Sequence, residues 1–147
     1  MGEMITCTMQ DGSEAEAYRA GDRGPGGLLY MDAIGLRPRI EEMVERIASW
    51  GYVVLAPNVF WRDGRAADLA PRGDLTVAED RDAFFATGLM DRVNSMTWER
   101  VDADADVWLS VLRGIDGVGE GPIGTTGYCF GGRLALRTAA HRPDDVA

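Results

Sequence analysis

Three glycines around one cysteine, in Gly127-Tyr128-Cys129-Phe130-Gly131-Gly132, restrict this chain more than any other feature. The stretch Pro122–Tyr128 reads as a strand. The residues after it read as a helix whose apolar positions are Leu134, Ala135, Leu136, Ala139 and Ala140, stopped by Pro143. A strand that hands over to a helix this abruptly holds the central residue in a strained turn and projects its side chain beyond the sheet's C-terminal edge. Residues two before and two after approach neighbouring backbone and must be small, a condition that Gly127, Gly131 and Gly132 meet.

The chemistry follows from the turn. The backbone N–H of Phe130, the residue after the cysteine, can donate to an oxyanion. A negative charge at a helix N-terminus is favoured by about 0.3–1 kcal/mol, so a sulfur placed there still needs a base to do the rest. Cys129 therefore reads as a nucleophile. Two other readings stand beside it: a buried structural cysteine that happens to lie among glycines, and a dinucleotide-binding turn over Thr126–Gly132. The dinucleotide fingerprint belongs after the first strand and spaces its glycines Gly-x-Gly-x-x-Gly, which positions 127, 131 and 132 do not. No cofactor is expected.

The rest of the pattern supplies a sheet for that turn. Residues 4–10 and 13–20 read as strands joined at Asp11-Gly12, an antiparallel edge hairpin. A strand over Gly27–Met31 follows. Pro38 to Trp50 then reads as a helix with Ile40, Met43, Val44, Ile47 and Ala48 on one face and Gly51 as its stop. Tyr52–Ala56 is a short apolar run of the kind buried on both faces. Strand, helix and strand form one βαβ unit. Thr97–Leu112 reads as a second amphipathic helix, with Glu99, Arg100, Asp102, Asp104 and Asp106 on a solvated face. Asp residues alternating along a helix point in different directions, so no metal site is expected there. Residues 57–96 are poorly patterned, with a stretch near 77–90 of helical character.

Composition narrows the class. The 147 residues suffice for one domain, and a net charge of −9 repels nucleic acid and anionic membranes on average. No segment approaches the ~20 apolar residues a bilayer span needs, and no basic-then-apolar leader opens the chain. Two cysteines, Cys7 and Cys129, do not make a disulfide framework, so both are expected as reduced thiols of a cytoplasmic protein, with Cys7 a small apolar filler in its strand. Every one of the 15 basic residues is Arg, a usage that suggests a G- and C-rich, bacterial gene. Oligomeric state is not encoded in any motif.

Gly127–Gly132 with its Ala- and Leu-rich helix resembles the dienelactone hydrolase family. So does Tyr30-Met31-Asp32-Ala33-Ile34-Gly35 followed by a helix and then Gly51-Tyr52-Val53-Val54-Leu55-Ala56-Pro57-Asn58. The resemblance implies an α/β hydrolase fold, a mostly parallel sheet with flanking helices, here with an N-terminal antiparallel hairpin. It implies cleavage of a small lactone or other carboxylic ester by a Cys-Asp-His triad. By position, Cys129 is the nucleophile, Asp32 matches an acidic residue that contacts the resting thiol, and Ala33 supplies the second oxyanion N–H beside that of Phe130. Phe60, Trp61, Phe84 and Phe85 fall where the family builds its pocket wall, or else pack the core. The family's substrate-carboxylate Arg has no clear counterpart among Arg62, Arg65, Arg72 and Arg81.

The triad Asp and His should follow the nucleophile. The one histidine, His141, lies 12 residues along the same helix, ~18 Å away at 1.5 Å per residue, and Asp144 and Asp145 are too near that helix end. The expectation is a single incomplete hydrolase domain over 1–147, truncated before its C-terminal strands and inactive alone. The alternative is a non-catalytic truncated or split chain with a binding or assembly role.

Overall fold

The computed structural model describes residues Met1–Ala147. The hairpin strands are β1 (Gly2–Thr8) and β2 (Glu14–Ala20), in antiparallel register with Cys7 opposite Ala15. Their turn forms where Gly12 takes φ 85°, a left-handed conformation that glycine adopts freely, and where the Asp11 carboxylate accepts the Ser13 N–H at 2.8 Å. The next unit is β3 (Gly26–Tyr30), α1 (Pro38–Ala48) and β4 (Val53–Pro57). Pro38 opens α1, Ile40 and Val44 are its buried residues, and the helix ends two residues before the expected Trp50. All five β4 residues are buried, as an apolar run covered on both faces must be.

The sheet order is β1-β2-β4-β3-β5, where β5 (Gly124–Gly127) is shorter than the expected 122–128. β4, β3 and β5 run parallel, and the hairpin adds its two strands antiparallel at the β4 edge. α1 packs on β4 and β2. α5 (Trp98–Arg113) and α6 (Phe130–His141) pack on each other and on β3. The connection from β3 through α1 leads to one neighbour of β3. The connection from β4 back through α5 leads to the other. The sheet thus has a topological switch point between β3 and β5, and in open α/β sheets ligands bind in the crevice beyond the C-terminal strand ends at such a point.

Residues 57–96, poorly patterned in sequence, hold three short helices: α2 (Ala66–Leu69), α3 (Ala78–Phe85) and α4 (Leu89–Ser95). What fastens the segment is a residue assigned above to a solvated face. Asp104 is 3% exposed and accepts from Arg62 Nη1 and Nη2 (2.7 and 2.8 Å), Trp61 Nε1 (3.1 Å) and Gln10 Nε2 (2.9 Å). Position 104 is three residues after Val101 and four before Trp108, so helical spacing puts it on the buried stripe, and the four donors compensate its desolvation. Of the neighbouring acids, Glu99 and Asp106 face outward, while the Asp102 side chain is only 20% exposed. Asp102 pairs with Arg137, and Asp106 with His141 and Arg142, clamping α5 to α6. No helix is long and apolar enough to cross a membrane.

Candidate active site at the ends of β3 and β5

Cys129 is the one non-glycine residue with positive φ (φ 54°, ψ −119°), and its side chain is exposed. Such a backbone costs on the order of 1–3 kcal/mol and persists only where its surroundings force it. Here the surroundings are glycines. A Cβ at Gly127 would collide with the Gly131 carbonyl, and a Cβ at Gly131 would collide with the carbonyls of Tyr30 and Met31. The first turn of α6 therefore sits against the end of β3 with only backbone between them. Gly132 is less crowded: a Cβ there would lie 3.4 Å from the Gly127 oxygen. The turn is closed by Gly131 N–H to Tyr128 O (2.9 Å) and Gly132 N–H to Cys129 O (3.1 Å). The Tyr30 hydroxyl meets Thr138 Oγ1 at 2.6 Å and binds β3 to α6 further along; burial drives this phenol well above its ordinary range.

The β-register puts the sequence-expected residues at equivalent offsets past two neighbouring strands. Tyr30 pairs with Gly127 across the parallel strands β3 and β5. Asp32 and Cys129 are each two residues past that pair, and Ala33 and Phe130 each three, on strands about 4.8 Å apart. The amide of Phe130 is the first of α6 and so has no acceptor within the helix. Phe130 itself is buried and stacks on Phe60, ring centroids 5.7 Å apart.

Asp32 makes other bonds than one to the thiol. Its Oδ1 accepts from Ile34 N (3.0 Å) and Arg37 Nη1 (2.7 Å), and its Oδ2 accepts from Arg37 Nη2 (2.9 Å). His141 lies at the far end of α6, with Nε2 3.0 Å from Asp106 Oδ1 and Nδ1 3.7 Å from Asp102 Oδ2. It is engaged there and cannot serve Cys129. Of the aromatics, Phe60 and Phe84 are buried and Phe85 is exposed, while Trp61 bonds Asp104. Arg62 is held by Asp104, and Arg65 pairs with Glu16.

A cavity of about 560 Å³ lies among α2, α3 and α4, where Leu69, Arg72, Phe84, Thr87 and Arg92 line it, and it does not include Cys129. Arg92 is the one buried arginine, with its guanidinium 5.8 Å above Phe60, and its Nε has no partner. Sequence reasoning missed Arg37, Asp104 and Arg92. A signal existed for Asp104 alone, in its helical spacing from Val101 and Trp108.

The family model of the dienelactone hydrolases matches residues 14–147. A carboxymethylenebutenolidase of Rhodococcus opacus is 30% identical over 131 residues, which is 88% of this chain and 44% of that protein. One from Pseudomonas sp. strain P51 is 29% identical over 118 residues, 80% of this chain and 45% of its own. Among solved structures, a Klebsiella pneumoniae protein provisionally named a dienelactone hydrolase superposes with TM-score 0.74 at 24% identity, over 97% of this chain and 55% of that one. The thioesterase domain from the curacin biosynthetic pathway superposes with TM-score 0.63 at 17% identity, over 99% of this chain and 44% of its own. The chain thus spans about half the length of the curated relatives it matches, and its sheet and helices have the α/β hydrolase fold.

Proposed function

The chain belongs to the dienelactone hydrolase family, and we propose that Cys129 is its nucleophile in the hydrolysis of a small lactone or other carboxylic ester. The observation that carries this reading is the exposed thiol at φ 54° where β5 hands over to α6. Strain of this kind at a strand end is stored where a side chain must be presented rather than packed. In the proposed reaction the sulfur attacks the ester carbonyl carbon and a C–S bond forms. The negative charge on the carbonyl oxygen is met by the amides of Phe130 and Ala33. Collapse breaks the C–O bond, the leaving alkoxide takes a proton, and water then cleaves the thioester to free acid and thiol. Gly127, Gly131 and Gly132 are the glycines that let the turn close, and Asp32 is the acidic residue at the matching position past β3, bonded to Arg37.

The general base and its acid partner are proposed to come from residues outside 1–147, since His141 is held by Asp106 at the opposite end of α6. The same observation supports a second reading, in which this chain is non-catalytic and acts in binding or assembly. Incubation with p-nitrophenyl acetate separates them. The nucleophile reading expects acetylation of Cys129, up to one acetyl per chain, without Cys129-dependent turnover above that of free thiol. Equal acetylation of a Cys129→Ala chain would remove the nucleophile assignment. Repeated Cys129-dependent turnover would instead show that the base is already present.

A further inference from the structure

The Asp32 carboxylate and the Cys129 thiol lie at equivalent positions past neighbouring parallel strands, yet no hydrogen bond joins them. What occupies the carboxylate is Arg37. Its two Nη atoms grip Oδ1 and Oδ2 in a fork, the geometry in which guanidinium–carboxylate pairs are strongest. Arg37 Nη1 also donates to Gly35 O (2.8 Å), and Gly35 N donates back to Asp32 O (3.1 Å). Ile34 N donates to Asp32 Oδ1, so every residue from Asp32 to Arg37 except Ala33 and Leu36 is tied into one small closed network. The pair is mostly shielded, with side chains 23% and 18% exposed. Ala33 sits inside this closed loop with its amide uncommitted to the fork.

We infer that Arg37 is a positioning residue: it holds the Asp32 carboxylate away from Cys129 and fixes the loop that presents the Ala33 amide. The inference rests on the proposed function for the site's purpose but not for the charge arrangement it describes. An unpaired carboxylate beside a sulfur disfavours the thiolate and repels an incoming anion, and a carboxylate forked by a guanidinium does neither. Of the other charged or titratable groups on the elements around the sulfur, Tyr128 follows β5 directly and Arg133 lies on the first turn of α6 with its guanidinium 5.5 Å over the Trp98 ring, while Tyr30 is bonded to Thr138, Arg137 to Asp102 and His141 to Asp106.

Two alkylating reagents of equal reach and different charge read this arrangement. The rate at which Cys129 reacts with iodoacetate, divided by its rate with iodoacetamide, is measured near neutral pH with the site located by mass spectrometry. Arg37→Gln leaves Asp32 uncompensated, and the ratio should fall roughly three- to tenfold. Asp32→Asn leaves Arg37 uncompensated, and the ratio should rise by a similar factor. The double variant should return to the parent value, and Arg37→Lys should fall between, since an ammonium keeps the charge and loses the fork. Unchanged ratios in all variants would overturn the inference, as would a double variant that does not return. If Arg37→Gln fails to fold by circular dichroism, Asp32→Asn and the double variant carry the same test. Slow alkylation of Cys129 by both reagents in every chain would count against the nucleophile reading alone, because the ratio is independent of the absolute rate.

Discussion

Of the two cysteines of this chain, one lies within the sheet and the other past the end of one of its strands, and their surroundings are opposite. Cys7 lies within β1, opposite Ala15, and is 3% exposed; burial pushes its thiol up to about 11. Cys129 lies two residues beyond the end of β5, exposed, with the backbone of a residue that had to be forced into place. Within a strand, alternation sends a side chain into a packed face, and the low dielectric there disfavours the thiolate. Past the end of a parallel strand no neighbour covers the side chain, and the following helix begins with free amides. The difference between an inert and a presentable thiol here is a matter of position along a strand and not of residue type.

The largest expected effect is the contrast itself. Under native conditions near neutral pH, iodoacetamide should modify Cys129 on the order of a hundredfold faster than Cys7, because the reacting species is an accessible thiolate. Peptide mapping over a time course measures both rates in one sample. Equal slow labelling would break the comparison and would favour the non-catalytic reading of the chain.

Next in size is the effect of filling the turn. Gly131→Val places a branched side chain against the Tyr30 and Met31 carbonyls, so α6 must withdraw from β3. A loss of about 3 kcal/mol or more is expected in urea unfolding, and the lead of Cys129 over Cys7 in alkylation should shrink with it. Gly132→Ala meets only the Gly127 oxygen at 3.4 Å and should cost less than about 1 kcal/mol. Equal costs for the two would mean that the close approach of α6 to β3 is not what sets the elbow.

Much of this was legible beforehand, for definite reasons. The hairpin, the βαβ unit, α5 and the elbow each announce themselves through local signals: Asp11-Gly12, Pro38 and Gly51 around an apolar stripe, an unbroken apolar run, and glycines at 127, 131 and 132. The roles of Asp32 and Ala33 rest on family resemblance alone; the register puts them as many residues past β3 as Cys129 and Phe130 are past β5, and Asp32 is bonded to Arg37 instead of to the thiol. Between 57 and 96 only the helical character near 77–90 is legible, where α3 forms; α2 and the placing of the segment depend on contacts distant in sequence, such as Arg62 and Trp61 to Asp104. The helical spacing of Asp104 from Val101 and Trp108 signals its burial, but its partners lie more than 40 residues upstream and nothing near it in the chain signals them. The Arg37–Asp32 fork spans only five residues, but it depends on the loop turning at Gly35, where φ is 111°, and no periodicity reports that turn.

The smallest effect concerns pH and isolates Cys7. Its thiol stands near 11 in the folded chain against an ordinary value of 9.0. While both folded and unfolded forms keep the proton, burial of the neutral thiol favours the fold. As pH rises past the ordinary value, the unfolded chain loses its proton first, so stability falls until the folded thiol also ionises near 11. The loss between about pH 8 and pH 10 should be on the order of 1 kcal/mol, read as a falling urea midpoint. The hydroxyl of Tyr18, raised to about 12 by burial and by its bond to Glu45, adds its own loss only at higher pH. Cys7→Ala should flatten the slope in the pH 8–10 window, and Cys129→Ala should leave it unchanged. A slope that follows Cys129 instead would place the ionisation-sensitive thiol at the elbow and reverse the contrast between the two residues.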